Sequence, residues 1–269
     1  MENTAKNTAP FFFDAVTLER LALGSRETYS EAKPFPHIVL DALFPKEVPE
    51  GILEEFPDPG EILWRRHEHS HSKKLASEKE TQLGPFTRQV IYHLNSSVFI
   101  HFLENLTGIE GLVPDPHLWG GGLHQIERGG FLGVHADFNQ HPQLKLDRRL
   151  NLLLYLNKNW REQWGGHLQL WNRDMTQCEE KLLPIFNRCV IFSTTDFSFH
   201  GHPDPLTCPE GESRKSLALY YYSNGRPAWE ISKGHSTLYQ KRPGEKQAEA
   251  SFVKKFLKKV SGLKGKDKS

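Results

Sequence analysis

Six short apolar segments, at 123–127, 133–137, 149–155, 167–170, 188–193 and 216–222, are each closed off by Gly, Pro, Asn or Asp, and they leave this chain few architectures. Strands punctuated this regularly by turn residues build a sandwich or a barrel. Helical signals come earlier. Val90, Leu94, Val98, Phe102 and Leu106, supported by Ile91, Phe99 and Leu103, recur at helical spacing up to Thr107-Gly108, which predicts one core helix of about five turns bracing the sheet. Pro34-Phe35-Pro36 leads into a further strand at 37–41, and Pro45 opens a helix through about Phe56 that Pro57-Asp58-Pro59-Gly60 stops. Residues 1–33 read as a weakly structured lead-in with a short helix near 14–23 ended by Gly24. The expected class is α+β: a double-sheet jelly roll at 123–226, inside a domain at 34–228, flanked by N-terminal helices.

Composition removes several classes of function. A formal charge of +1 over 269 residues argues against a protein that coats nucleic acid or membrane, so no nucleic-acid partner is expected. Cys178, Cys189 and Cys208 form no C-x-x-C pair, which fits a reducing cytoplasm better than a disulfide framework. Residues 1–10 lack the basic-then-apolar pattern of a secretion signal, and no apolar run approaches the roughly 20 residues that span a bilayer. Residues 229–269 form a basic tail. Phe252, Val253, Phe256, Leu257 and Val260 share one helical face, with Lys254, Lys255, Lys258 and Lys259 opposite. The expectation is that the apolar stripe docks on the protein's own domain; weak contact with a membrane surface is the alternative.

The chemistry collects on the strands. Within Gly133-Val134-His135-Ala136-Asp137, side chains two apart project to one face, so His135 and Asp137 point together. His200, after the apolar run 188–193, supplies a third ligand. Two histidines and one carboxylate on one face of an octahedral metal leave three positions open, as in non-haem Fe(II) oxygenases. On the last strand Arg214 and Ser216 share a face, where a guanidinium fork and a hydroxyl suit a carboxylate; a register shift of one residue would present Lys215 instead. Tyr220 and Tyr222 share the Arg214 face, and Tyr221 packs behind it. His67-Glu68-His69-Ser70-His71 lies in a polar, lysine-rich stretch without an apolar frame, so 61–86 reads as a mobile, substrate-shaping loop at the site's mouth. His124, His141, His167 and His202 read as satisfied polar residues. Trp160, Trp164 and Trp171, around Gly165-Gly166, read as sheet packing.

In order, His135-Ala136-Asp137, His200 and Arg214-Lys215-Ser216 resemble the H-x-D…H…R-x-S pattern of the 2-oxoglutarate and Fe(II)-dependent oxygenases, prolyl 4-hydroxylase-like branch. The phrases Leu150-Asn151-Leu152, Gly165-Gly166-His167 and Pro184-Ile185-Phe186-Asn187-Arg188 are similar too. The resemblance implies a double-stranded β-helix of cupin-like form. It implies Fe(II) on His135, Asp137 and His200, 2-oxoglutarate held by Arg214 and Ser216 with Gln125, Asn151 and Tyr220 nearby, O2 as cosubstrate, and ascorbate as an accessory reductant. The implied reaction hydroxylates an unactivated C–H bond while 2-oxoglutarate decarboxylates to succinate and CO2, on a peptidyl proline, an amino acid, a sugar or another small metabolite. Asp137 favours hydroxylation over halogenation, since the family's halogenases usually lack that carboxylate. A non-catalytic jelly roll that binds metal or senses a ligand is the competing reading. It has no need of a paired anion anchor, and a structural zinc site would close with four ligands.

Overall fold

A computed structural model describes residues 13–77 and 79–245. Its elements run in the order α1 (Ala15–Glu31), β1 (His37–Asp41), α2 (Glu47–Glu54), β2 (Arg65–His69), β3 (Ser72–Ala76), α3 (Pro85–Leu94), α4 (Ser97–Thr107), β4 (Val113–Pro114), β5 (Gly122–Glu127), β6 (Phe131–Ala136), β7 (Asp147–Tyr155), β8 (Leu168–Trp171), β9 (Cys178–Leu182), β10 (Arg188–Ser193), β11 (His200–His202), β12 (Ser213–Ser223) and β13 (Leu238–Tyr239). The pairing path β1-β10-β7-β12-β5-β3-β6-β11-β8-β9 is antiparallel throughout, and it curls into two layers. The first layer ends at β5 and the second begins at β6. β3 pairs with both and joins them. This is the expected jelly roll, and all six strand segments read from the sequence are present within a few residues of their boundaries.

Alternation along the strands explains which residues reach the interior. Leu150, Leu152 and Leu154 of β7, Cys189 and Ile191 of β10, and Leu217, Leu219 and Tyr221 of β12 face the helices, joining Ala22, Ile52, Phe99 and Leu103 in one apolar core. Their neighbours turn inward. The inner faces therefore carry Asn151 and Tyr155 on β7 and Arg214, Ser216 and Tyr220 on β12, polar groups that a solid core would exclude.

The helical layer departs from the sequence reading in three places. Residues 1–33 are not all a loose lead-in: α1 runs seventeen residues, passes through Gly24, is capped by Asp14 and packs on α4. Burial of Leu18, Ala22 and Tyr29 outweighs the low helix propensity of one glycine. The single helix expected over 90–106 is two, because the first stops at Leu94 with Asn95 as its C-cap and Ser96 caps the next through the Phe99 amide, a break that apolar periodicity does not register. The stretch 61–86 is no mobile loop either: β2 and β3 form a hairpin built into the sheet. At the other end, Leu238–Tyr239 pairs with β6, so the polypeptide beyond 228 contributes a strand. The amphipathic stretch at 252–260 lies outside the described residues. No described helix is long and apolar enough to cross a membrane.

Candidate active site

Strand pairing assembles the candidate metal-binding set. β11 pairs with β6 so that His200 lies opposite His135, their rings 4.5 Å apart, and Asp137 follows one residue after β6 ends. Each ring bonds the carbonyl two residues before it: His135 Nδ1 to Gly133 at 2.9 Å and His200 Nδ1 to Ser198 at 2.8 Å. A carbonyl only accepts, so each Nδ1 carries its proton and each Nε2 is left with a bare lone pair. Those lone pairs face the carboxylate, Nε2 of His135 3.5 Å from Asp137 Oδ1 and Nε2 of His200 3.4 Å from Oδ2.

Two unprotonated nitrogens turned toward an anion repel it unless a cation lies between them. Ligands bound at about 2.1 Å and at right angles are about 3 Å apart, close to these separations. The donor atoms of the three residues all fall within 4.8 Å of one another. The set thus fits a divalent metal with open positions. Burial holds His200 neutral, its pKa pushed down to about 4. Burial opposes the charge on Asp137, yet the Arg148 guanidinium beside it holds its carboxyl well below the usual range.

Arg148 was not foreseen. Its guanidinium is fully buried, lies 3.5 Å from the centre of the Tyr220 ring and 4.4 Å from that of Phe138, and reaches Asp137 Oδ2 at 3.0 Å. It also donates twice to Asn151 Oδ1, and Asn151 Nδ2 donates to the same Asp137 Oδ2 at 2.7 Å. With two donors already on Oδ2, Oδ1 is the freer oxygen for a metal. Asn151, expected beside a cosubstrate, instead braces Asp137, although it also lines the cavity. A strand-end arginine eleven residues after the aspartate carries no spacing signal, so sequence alone did not single it out.

An inner cavity of about 70 Å³ joins the triad to Arg214, Ser216 and Tyr220. Arg214 is buried, donating from Nε to the Gly166 carbonyl at 2.8 Å and from Nη2 to the Tyr155 hydroxyl at 3.2 Å. No described carboxylate pairs with it, and its burial lowers its pKa. An unneutralised guanidinium at the floor of a cavity is an anion site. The register is fixed as well: Lys215 points away, its ammonium 5.1 Å from the Phe56 ring.

Gln125 is the site residue that the structure moves. It pairs with Lys215, shares that face and donates to Ser213 Oγ at 2.8 Å, outside the inner cavity. The strand alternates, so its neighbour His124 occupies the inner position. His124 and His202, read as bland, both line the cavity, and His202 Nδ1 is buried without a partner. Tyr155 is the residue that stands beside the anchor, at the β7 position opposite Ser216. His141 instead faces Asp115 at 3.4 Å, and His167 is half-buried away from the lining. Trp160 and Trp171 pack in separate apolar clusters, as expected. Tyr221 donates to the Leu94 carbonyl among the helices, and Tyr222 packs against His141. Above the triad a cleft of about 400 Å³ opens between β3, the 117–120 turn and β13.

Comparisons with known proteins agree with this geometry. The sequence profile of the 2OG-Fe(II) oxygenase superfamily matches residues 121–222. The chain is 25% identical over 233 residues to prolyl 3-hydroxylase OGFOD1 of Mus musculus, covering 82% of this chain but 41% of the relative, so it spans less than half of that protein's length. Among solved structures, a Pseudomonas putida prolyl-4-hydroxylase superposes with a TM-score of 0.54 at 14% identity, covering 77% of this chain and 100% of that one. A Trichoplax adhaerens prolyl hydroxylase, solved with a hypoxia inducible factor oxygen degradation domain peptide fragment, gives 0.51 at 18% identity, covering 77% and 91%. Over residues 121–222 the chain is therefore similar to the 2OG-Fe(II) oxygenase superfamily, and its fold is that of the prolyl 4-hydroxylases.

Proposed function

We propose that this protein is a hydroxylase that uses Fe(II), 2-oxoglutarate and O2 to oxidise an unactivated C–H bond. The observation that carries the reading is the shared cavity: a two-histidine, one-carboxylate set and a buried, unneutralised arginine open into the same 70 Å³ space. In this reading a dicarboxylate would lie between them, with one end toward the metal and the other toward Arg214. His135, Asp137 and His200 would hold the metal; bound Fe(II) with 2-oxoglutarate would supply the oxidising chemistry.

The chain's own contribution is positional. Gly133 and Ser198 carbonyls fix both imidazoles with Nε2 inward, and Arg148 and Asn151 fix the carboxylate. Tyr155 and the Gly166 carbonyl fix the Arg214 fork, leaving its remaining N–H groups for the distal carboxylate. Ser216 adds a hydroxyl on the same face. Burial of the inner cavity keeps bulk water from competing for these donors.

Gly166 makes the anchor testable without touching the anchor itself. Its φ is +75°, and an added Cβ would fall 2.8 Å from Leu206 Cδ2 and 3.0 Å from Arg214 Cδ. Gly166→Ala is expected to displace the guanidinium and raise the half-saturating 2-oxoglutarate concentration about tenfold, equivalent to about 1.4 kcal/mol. Titration of succinate release against 2-oxoglutarate measures this.

Similarity to a prolyl 3-hydroxylase supports a prolyl ring as one candidate substrate, alongside an amino acid, a sugar or another metabolite. A cytoplasmic location, supported by three free cysteines, and ascorbate as reductant belong to the same proposal. The test of the activity is oxygen-dependent conversion of 2-oxoglutarate to succinate by the purified chain with Fe(II). Succinate formed only with metal and oxygen together supports it, and metal binding without succinate would favour a non-catalytic sensor.

A further inference from the structure

Lys74 stands on β3 where the inner cavity meets the outer cleft. Its side chain lines both, with Arg214 and His200 on one side and Trp119 and Tyr239 on the other. Among the described residues its ammonium has no ion pair and no hydrogen bond. Asp137 is the only acid in the described lining of either cavity, and Arg148 and Asn151 already hold it. Glu68 and Glu127 border a separate small hollow beside the Lys74 stem, and neither pairs with the ammonium. Burial lowers the Lys74 pKa to about 8, with Asp137 pulling it up and Arg148, Arg214 and Arg65 pulling it down.

A half-buried ammonium set between two cavities with no carboxylate beside it is open to an anion that arrives from outside. The cosubstrate does not supply that anion. Of its two carboxylates, one belongs to Arg214 and the other to the metal. The outer cleft repeats the sign, since Lys79 lines it with Lys74. Its volume of about 400 Å³ suits a small molecule, and Trp119, 41% exposed, offers an aromatic wall for the remainder of that molecule.

We propose that Lys74 receives an oxyanion of the primary substrate, a carboxylate or a phosphate, so that the enzyme acts on small anionic molecules whose reacting C–H lies near that group. The inference rests on the oxygenase reading above. Lys74 becomes a specificity-determining residue, and a basic peptide becomes a poor substrate because it would enter a cleft of its own sign.

The test uses the full chain loaded with Mn(II) and 2-oxoglutarate, with inorganic phosphate and acetate as probes and paramagnetic relaxation of their nuclei as the readout. The wild type is expected to relax one or both probes, and the better one identifies the oxyanion. Lys74→Met, which keeps the aliphatic stem, is expected to weaken probe binding about tenfold, in line with loss of a charged hydrogen bond, while Lys74→Arg retains it. Mn(II) and 2-oxoglutarate affinities are expected to be equal in all three proteins. Unchanged probe binding in Lys74→Met, relaxation of neither anion by the wild type, or a loss of 2-oxoglutarate affinity in its place would overturn the proposal. Should Mn(II) not bind, the oxygenase reading fails, and calorimetric titration of the same anions into the metal-free chain decides on Lys74 separately. Binding lost in Lys74→Met upholds the anion site, and equal binding refutes it.

Discussion

His200→Ala is expected to reduce Fe(II) affinity by at least about a hundredfold and to bring turnover below detection, because loss of even a hydrogen-bond partner of a ligand costs 10–100-fold and His200 is proposed as a direct ligand. The fold should survive. His200 opens β11, a strand of three residues whose backbone pairing to β6 and β8 does not depend on the imidazole. Removing the ring leaves His135 and Asp137 with two donors, one of them already shared with Arg148. Equilibrium dialysis with Fe(II) under argon, beside a thermal melt, separates the two effects. His101→Ala, exposed on α4, should change neither. Wild-type iron affinity in His200→Ala would remove the triad assignment.

Arg214→Met is expected to behave in the opposite way, keeping iron and losing the cosubstrate. Its guanidinium is the unneutralised cation at the far end of the inner cavity, and truncating one partner of a buried charge pair costs about 2–5 kcal/mol, so the 2-oxoglutarate requirement should rise about a hundredfold. Arg214→Lys should recover part of the loss, since a point charge replaces the charge but not the fork. Lys215→Met should leave the requirement unchanged, because Lys215 faces Phe56. Initial rates of succinate release against 2-oxoglutarate, with Fe(II) affinity measured in parallel, check both statements. A parallel fall in iron affinity in Arg214→Met would mean that the residue supports the metal site as well.

The sheet and the triad were legible because both depend on the two-residue period of strands. His135 and Asp137 needed only alternation to face together, and the turn residues around 123–222 marked the strand limits. What the sequence concealed follows from contacts between distant segments. Gln125 differs from His124 by one position, and one position exchanges the faces of a strand; pairing with β12 decides which turns inward, and no pattern within 122–127 reveals it. Tyr155 looked like another apolar residue of β7 until the Arg214 fork reached its hydroxyl. The β2–β3 hairpin was hidden by its charge: Arg65, His67, Lys73 and Lys74 make a poor strand in isolation, yet the edges of β5 and β6 supply the partners that stabilise it. The same concealment applied to Lys74, which read as one lysine in a polar stretch.

The measurement that bears most directly on the central claim is anaerobic titration of the purified chain with Fe(II) and 2-oxoglutarate, followed in the visible. Simultaneous occupation of the histidine–aspartate set and the Arg214 end of the cavity predicts a metal-to-ligand charge-transfer band that requires both components, saturates at one equivalent of iron, and bleaches with succinate release when oxygen is admitted. Bound iron with no band at saturating 2-oxoglutarate would contradict the account, because the keto acid would then not reach the metal from the Arg214 anchor.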